Sequence, residues 1–311
     1  MSTSIKKIAI IGAGVIGTGW TLRLLAHNKQ IHVFDSNKKQ IKFLKNEYDR
    51  TKFILKKFYK TKKIIPKNIY FEKSIKETVK NADLVQENVS ENENIKKKII
   101  KEISYWSKPN IIIASSSSGL LPSKLQKSCH NPKRFLIAHP FNPVYLLPLV
   151  ELVKGKKTSN FYINKAEKFY KSLGMKTLIL KKEVEGYLSD RLQEALWRES
   201  LHIVNNGLAS TSDLDEAILY GPGLRWSLMG NFLSYHLAGG KSGMKHTLEQ
   251  FGPALKLPWT NLKAPKLTKK LANRIIQGTK MQSRGKNIKQ LTNLRDNFLI
   301  DLLKLKNKYK I

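Results

Sequence analysis

The chain has 311 residues, 41% of them hydrophobic and 26% charged, with 57 Lys and Arg against 23 Asp and Glu for a formal net charge of +34. That length exceeds what one core usually serves and predicts two domains. The hydrophobic content excludes disorder, and apolar runs no longer than a strand exclude a bilayer span, which needs roughly 20 apolar residues.

The positive charge raises RNA or an anionic surface as a partner. The lysines, however, are scattered from Lys6 to Lys310 and travel with Asn and Ile. They read as solvated surface, and nucleic acid is not the expected partner. The single cysteine, Cys129, has no second thiol to pair with and no Cys or His pair at metal-ligand spacing. The opening MSTSIKKIAIIGAG lacks a signal-peptide cleavage site. The expectation is a cytoplasmic protein with no membrane segment and no metal.

In chain order, short apolar runs at 8–11, 31–34, 84–85, 111–114 and 135–138 alternate with helix-patterned stretches. This βαβ rhythm predicts a Rossmann-type, doubly wound, mostly parallel sheet. Directly after the first run comes GAGVIG, with Gly12, Gly14 and Gly17 at G-x-G-x-x-G spacing around Ala13, Val15 and Ile16. Gly12 permits the tight turn, Gly14 lets backbone approach a pyrophosphate, and Gly17 allows close helix–strand packing. The second run ends IHVFD, placing Asp35 to accept from adenosine ribose hydroxyls and to repel a 2′-phosphate. The predicted cofactor is therefore NAD rather than NADP.

Further on come SSSSGL at 115–120, AHPFNP at 138–143 and PLVEL at 148–152. His139 and Glu151 fall at adjacent predicted strands, where they suit an acid–base pair with Ser118 as a hydroxyl for the reacting oxygen. A satisfied structural His and a surface Glu are the alternative. Runs at 149–153 and 177–180 flank a helical stretch at 160–173, which extends the sheet domain over 1–183. From 184 the period becomes helical (Leu192, Leu196, Leu201, Val204), broken by GPG at 221–223, GG at 239–240 and Pro253, Pro258 and Pro265. A mostly helical domain is predicted for 184–311.

Taken together and in this order, strand-GAGVIG-helix, DLVQENVSEN, the serine cluster and HPFNPVYLLPLVE resemble the 3-hydroxyacyl-CoA dehydrogenase superfamily over nearly the whole chain. By that resemblance Ser118 contacts the substrate oxygen, His139 is the catalytic base and Glu151 its carboxylate partner, while Glu91, Lys96 and Asn142 line the nicotinamide and ribose site. One position departs. The family's G-F-x-x-N-R reads GYLSDR here, so Asp190 replaces an amide, which either attracts a cationic group or caps the helix beginning there.

The phrases GPGLRWSLMG, YHLAGGKSGMKH, QFGPALKLPWT and AP-LT resemble the L-carnitine 3-dehydrogenase branch of that family more than the acyl-CoA enzymes or the L-gulonate 3-dehydrogenases. Those two remain the enzymatic alternatives, and a basic RNA- or anionic-surface-binding protein is the non-enzymatic one. The branch implies L-carnitine as substrate, whose quaternary ammonium is recognised over aromatic faces. Trp226, Phe141, Tyr145, Tyr235 and Trp259 are candidates for that box. Arg225, with Arg198 as competitor, offers a planar fork for the substrate carboxylate. The resemblance also implies a homodimer formed through the helical domain.

Overall fold

Eight strands make one sheet in the order β3-β2-β1-β4-β5-β6-β7-β8. They are β1 (Lys7–Ile11), β2 (Gln30–Phe34), β3 (Ile69–Phe71), β4 (Leu84–Glu87), β5 (Ile112–Ser115), β6 (Phe135–Pro140), β7 (Leu149–Lys154) and β8 (Lys176–Ile179). The computed structural model describes residues 5–59, 65–239, 241, 243–253, 257–260, 268–271, 273, 281 and 284–309. The chain divides into two compact units, residues 1–190 and 191–311.

In the first unit, helices α1 (Val15–Ala26), α2 (Lys38–Phe58) and α6 (Asn160–Ser172) cover one face of the sheet. Helices α3 (Ile75–Val79), α4 (Glu93–Trp106) and α5 (Pro122–Leu125) cover the other. Strands buried on both faces are apolar at most positions, which is why these runs read as continuous rather than alternating. The alternation is still present in three dimensions. Ile8 and Ile10 join the cluster under α1 with Trp20 and Leu24, while Ala9 and Ile11 join the opposite cluster with Val79 and Ile103. Each such aliphatic side chain contributes roughly 1.5–3 kcal/mol by leaving water.

The sequence reading omits β3 and α3, whose short apolar stretches carry no period long enough to register. All neighbouring strands run parallel except β6 and β7, which are antiparallel. The link between them, 141–148, is too short for the crossover that a parallel pair requires. That reversal sets His139 directly opposite Glu151 in the ladder.

The second unit is helical among its described residues: α7 (Ser189–Asn205, entered from the first unit), α8 (Thr211–Tyr220), α9 (Pro222–Trp226), α10 (Asn231–Ala238), α11 (Gly243–Phe251) and α12 (Ile288–Lys308). Capping boxes start α8 (Ser210 with Asp213) and α12 (Asn287 with Gln290), satisfying amide groups that no helix turn can reach. Parts of the predicted phrases at 240, 242, 254–256 and 261–267, Pro265 among them, lie outside the described residues.

Candidate active site

The glycine turn folds over the carboxyl end of β1. Gly12 sits at φ +92°, and a Cβ there would lie 2.8 Å from the backbone of Asn88, so neither the turn nor the close approach of β4 tolerates a side chain. Gly14 differs: nothing lies within 4 Å of where its Cβ would be, and it opens onto a cleft of about 530 Å³. Asp35, Asn37, Asn88 and Val89 also line that cleft, as do Phe34 and Ile99. Helix α1 begins at its edge with no acidic residue in the first turn, leaving its amide end able to face an anion. The chemistry of this lining fits a dinucleotide: a carboxylate at the sugar end, bare backbone at the phosphates and apolar walls beside them.

Asp35 has a second task that sequence reasoning missed. Its Oδ2 accepts from the Ala13 amide at 2.7 Å and its Oδ1 from the Asn37 amide at 2.8 Å, so it ties the glycine turn to the end of β2. Val15 is exposed and Ile16 packs against the core, both in the first turn of α1.

Next along the sheet, Glu91 organises the serine loop. It accepts from the Ser117 hydroxyl and from the amides of Ser118 and Gly119 at 3.0 and 3.2 Å. Behind it Lys96 is 1% exposed, its ammonium 2.9 Å from Glu87 and 3.0 Å from the Val89 carbonyl, with Glu91 at 3.5 Å. The Ser115 hydroxyl also donates to Glu87. A buried pair of this kind is held by the number of its donors rather than by Coulomb attraction alone. The structure thus places Lys96 beneath the loop as the support of Glu91. Ser118 is exposed on the loop above.

His139 and Glu151 are in contact. His139 Nδ1 lies 3.0 Å from Glu151 Oε2, and since a carboxylate only accepts, Nδ1–H donates and Nε2 is left to face outward. Glu151 is fully buried. Its Oε1 accepts from the amides of Leu188 and Ser189 at 3.1 Å each, which open helix α7. Burial pushes the Glu151 carboxyl up, but the His139 hydrogen bond, the Ser189 amide, the His139 charge and the Leu188 amide together outweigh it and hold the group below its ordinary value. Asp190 follows in the first turn of α7, with Oδ2 3.5 Å from His139 Nε2. Phe141 meets the imidazole edge-on at 5.8 Å between centroids, and the Tyr187 ring lies at 5.5 Å.

Tyr187 is a functional-site residue that sequence reasoning missed. Its hydroxyl donates to the Leu120 carbonyl at 2.8 Å, its φ is +48°, and burial raises its phenol. It joins the serine loop to the turn that carries Asp190, and no spacing rule marks it.

Of the other predicted residues, Tyr145 and Asn142 belong to the first unit. Tyr145 is a correction: it is buried against α2, its hydroxyl accepting from Arg50 at 2.7 Å and its carbonyl from the Tyr59 hydroxyl at 2.8 Å, so its surface is spent on packing rather than on a substrate. Asn142 is exposed just beyond Phe141. In the second unit Arg198 pairs with Glu194 along α7 at 3.3 Å, Arg225 and Trp226 end α9, and Tyr235 and Trp259 are exposed. No group of three His, Cys, Asp or Glu suited to a metal occurs among the described residues, and no described helix is long and apolar enough to cross a membrane.

A dinucleotide cradle at the head of a parallel sheet, with a carboxylate-held imidazole two strands beyond it, defines a nicotinamide-dependent dehydrogenase. The chain belongs to the 3-hydroxyacyl-CoA dehydrogenase family: residues 7–184 match the NAD binding domain of that family and 186–283 its C-terminal domain. It is an NAD-dependent oxidoreductase acting on a CH–OH group. Among curated proteins it is 50% identical over 306 residues to an L-carnitine dehydrogenase of Bacillus cereus, covering 98% of this chain and 94% of that one. It is 46% identical over 304 residues to an L-carnitine dehydrogenase of Oceanobacillus iheyensis, covering 98% and 99%. Among solved structures, a 5-formyl-3-hydroxy-2-methylpyridine 4-carboxylic acid 5-dehydrogenase superposes with a TM-score of 0.81 at 24% identity, covering 97% and 98%, a likeness of fold.

Proposed function

We propose that this enzyme oxidises the 3-hydroxyl of L-carnitine to 3-dehydrocarnitine, in the cytoplasm and as a homodimer, with His139 as general base. The contact of His139 Nδ1 with Glu151 carries the chemistry, and the similarity to L-carnitine dehydrogenases over 98% of the chain supports the substrate. NAD, when bound, supplies the acceptor for the hydride leaving carbon 3. Nε2 of His139 takes the hydroxyl proton, so one C–H and one O–H bond break as the C=O bond forms. Glu151, kept ionised, holds the ring in the tautomer that frees Nε2 and stabilises the imidazolium that results.

Ser118 positions the substrate oxygen from a loop held by Glu91. Asp35 and the glycine turn of residues 12–17 hold the adenosine half of the cofactor, and Glu91, Lys96 and Asn142 line the nicotinamide and ribose side. Arg225, with Arg198 as its competitor, pairs with the substrate carboxylate, and Trp226 and Phe141 provide aromatic faces for its ammonium.

The test is NADH formation at alkaline pH with L-carnitine, D-carnitine, L-gulonate and 3-hydroxybutyryl-CoA side by side. L-carnitine turnover well above the others is expected. Preference for L-gulonate or the thioester would overturn the substrate while leaving the His139 chemistry in place.

A further inference from the structure

Beneath the serine loop lie two carboxylates and one ammonium, and the two carboxylates are used differently. Lys96 has three N–H donors, with Glu87 at 2.9 Å, the Val89 carbonyl at 3.0 Å and Glu91 at 3.5 Å. Glu87 is 0% exposed, and both its oxygens are taken from within: by Lys96, by the Val89 amide at 2.7 Å and by the Ser115 hydroxyl. Glu87 and Lys96 therefore cancel as a buried pair. Glu91 is 42% exposed, lies at the longer distance from Lys96, and otherwise accepts from neutral donors, the Ser117 hydroxyl and the amides of Ser118 and Gly119. The three charges sum to one negative, and it resides on Glu91. That residue directly follows Ser90, which lines the cofactor cleft.

We propose that Glu87 is a positioning residue for the redox state of the cofactor: by neutralising Lys96 it leaves the charge of Glu91 to favour the oxidised nicotinamide over the reduced one. The inference rests on the placement of the nicotinamide beside Glu91 proposed above. NAD+ and NADH share the adenosine, both riboses and both phosphates. They differ in the nicotinamide ring, a cation in the first and neutral in the second. A fixed carboxylate near the ring acts on that difference, while contacts to the shared parts cancel from it. Without Glu87 the ammonium of Lys96 would offset Glu91, and the bias would vanish. In an enzyme that oxidises its substrate, the bias holds the form of the cofactor that accepts the hydride and loosens the form that must leave.

The experiment measures Kd for NAD+, NADH and ADP-ribose by calorimetry on the wild type and on Glu87→Gln, Glu87→Asp, Lys96→Gln and Glu91→Gln. ADP-ribose carries no nicotinamide and reports whether the cradle is folded. Glu87→Gln is expected to raise the ratio of Kd for NAD+ to Kd for NADH on the order of 10-fold, with ADP-ribose affinity kept, the effect of one uncancelled charge in a partly shielded site. Glu87→Asp keeps the charge and returns the ratio toward that of the wild type. Lys96→Gln removes the cation, keeps an amide donor and lowers the ratio by a similar factor. Weakening of NAD+ and NADH by one common factor in Glu87→Gln would assign Glu87 to the fold alone and overturn the inference, as would an unchanged or lowered ratio. If Glu87→Gln fails to hold ADP-ribose, Lys96→Gln decides, and an unshifted ratio there overturns the inference. Glu91→Gln separates the inference from the placement beneath it. An unshifted ratio in that variant removes the nicotinamide from Glu91, and the inference falls with that placement. A shift in Glu91→Gln without one in Glu87→Gln sinks the inference alone.

Discussion

In the first unit the strands β4, β5 and β6 are buried along their whole length and their apolar side chains are used up in two clusters, one on each face of the sheet. In the second, Leu192, Leu208, Tyr220 and Phe232 are 72%, 75%, 78% and 84% exposed, while its buried hydrophobic residues among those described are Val204, Leu271 and Ile300. One unit meets its need for burial within itself and holds the His139–Glu151 pair. The other presents apolar helix faces that water does not favour. The difference teaches that burial is divided unevenly along the chain, with His139 and Glu151 on the self-sufficient side.

The largest expected effect sharpens that division. His139→Ala removes the proton acceptor and should lower kcat by about 10²–10⁴-fold, the usual worth of a positioned base. The cradle at Gly12, Gly14 and Asp35 stands on other strands, so NADH affinity should stay within about twofold by fluorescence titration, as expected for sites that share no contacts. A near-normal rate would remove His139 from the mechanism, and a lost cofactor affinity would show that the unit's two functions are not separable.

A second expectation concerns the apolar helices. If their exposed faces are covered by a second copy, sedimentation at micromolar concentration should give twice the chain mass. A monomer at that concentration would break the comparison, because the second unit would then leave its apolar residues in water without compensation.

Legibility followed the same division. The sheet was readable because doubly buried strands leave apolar runs, and the cradle because φ +92° and the Asn88 backbone at 2.8 Å require glycine at position 12, which marks the turn. His139 and Glu151 were readable as a pair because each closes or follows such a run. What escaped were residues whose role depends on three-dimensional neighbours. Trp20, Ser116, Gln86 and Tyr170 form a buried hydrogen-bonded chain running to Asn88 at the cleft, yet each reads as an ordinary core or surface residue. Arg23, fully buried, donates to the carbonyls of Val144, Leu147 and Leu173 and so pins the segment after Phe141 to α1. A guanidinium in a helix gives no hint that three carbonyls await it. Tyr145 was misplaced for the same reason: an aromatic next to the catalytic strand looks like a ligand wall until α2 packs on it.

The smallest expected effect uses Glu151 to test how firmly the base is held. Its carboxyl is kept below its ordinary value of 4.5, so the ionised form is bound more strongly in the folded chain than in the unfolded one. Stability from this source is fully present above about pH 4.5 and is lost as pH falls through the lower folded value. Glu151→Gln removes the charge but keeps the shape, and should reduce unfolding free energy at pH 7 by roughly 1–3 kcal/mol, the worth of charged hydrogen bonds in a buried site. Denaturant unfolding of the two proteins should then converge as the pH is lowered below 4.5, because the wild type protonates toward the state the variant already mimics. A gap that persists unchanged at acid pH would mean that Glu151 holds His139 and the start of α7 by packing alone. The ionised carboxylate would then stabilise only the imidazolium formed during turnover.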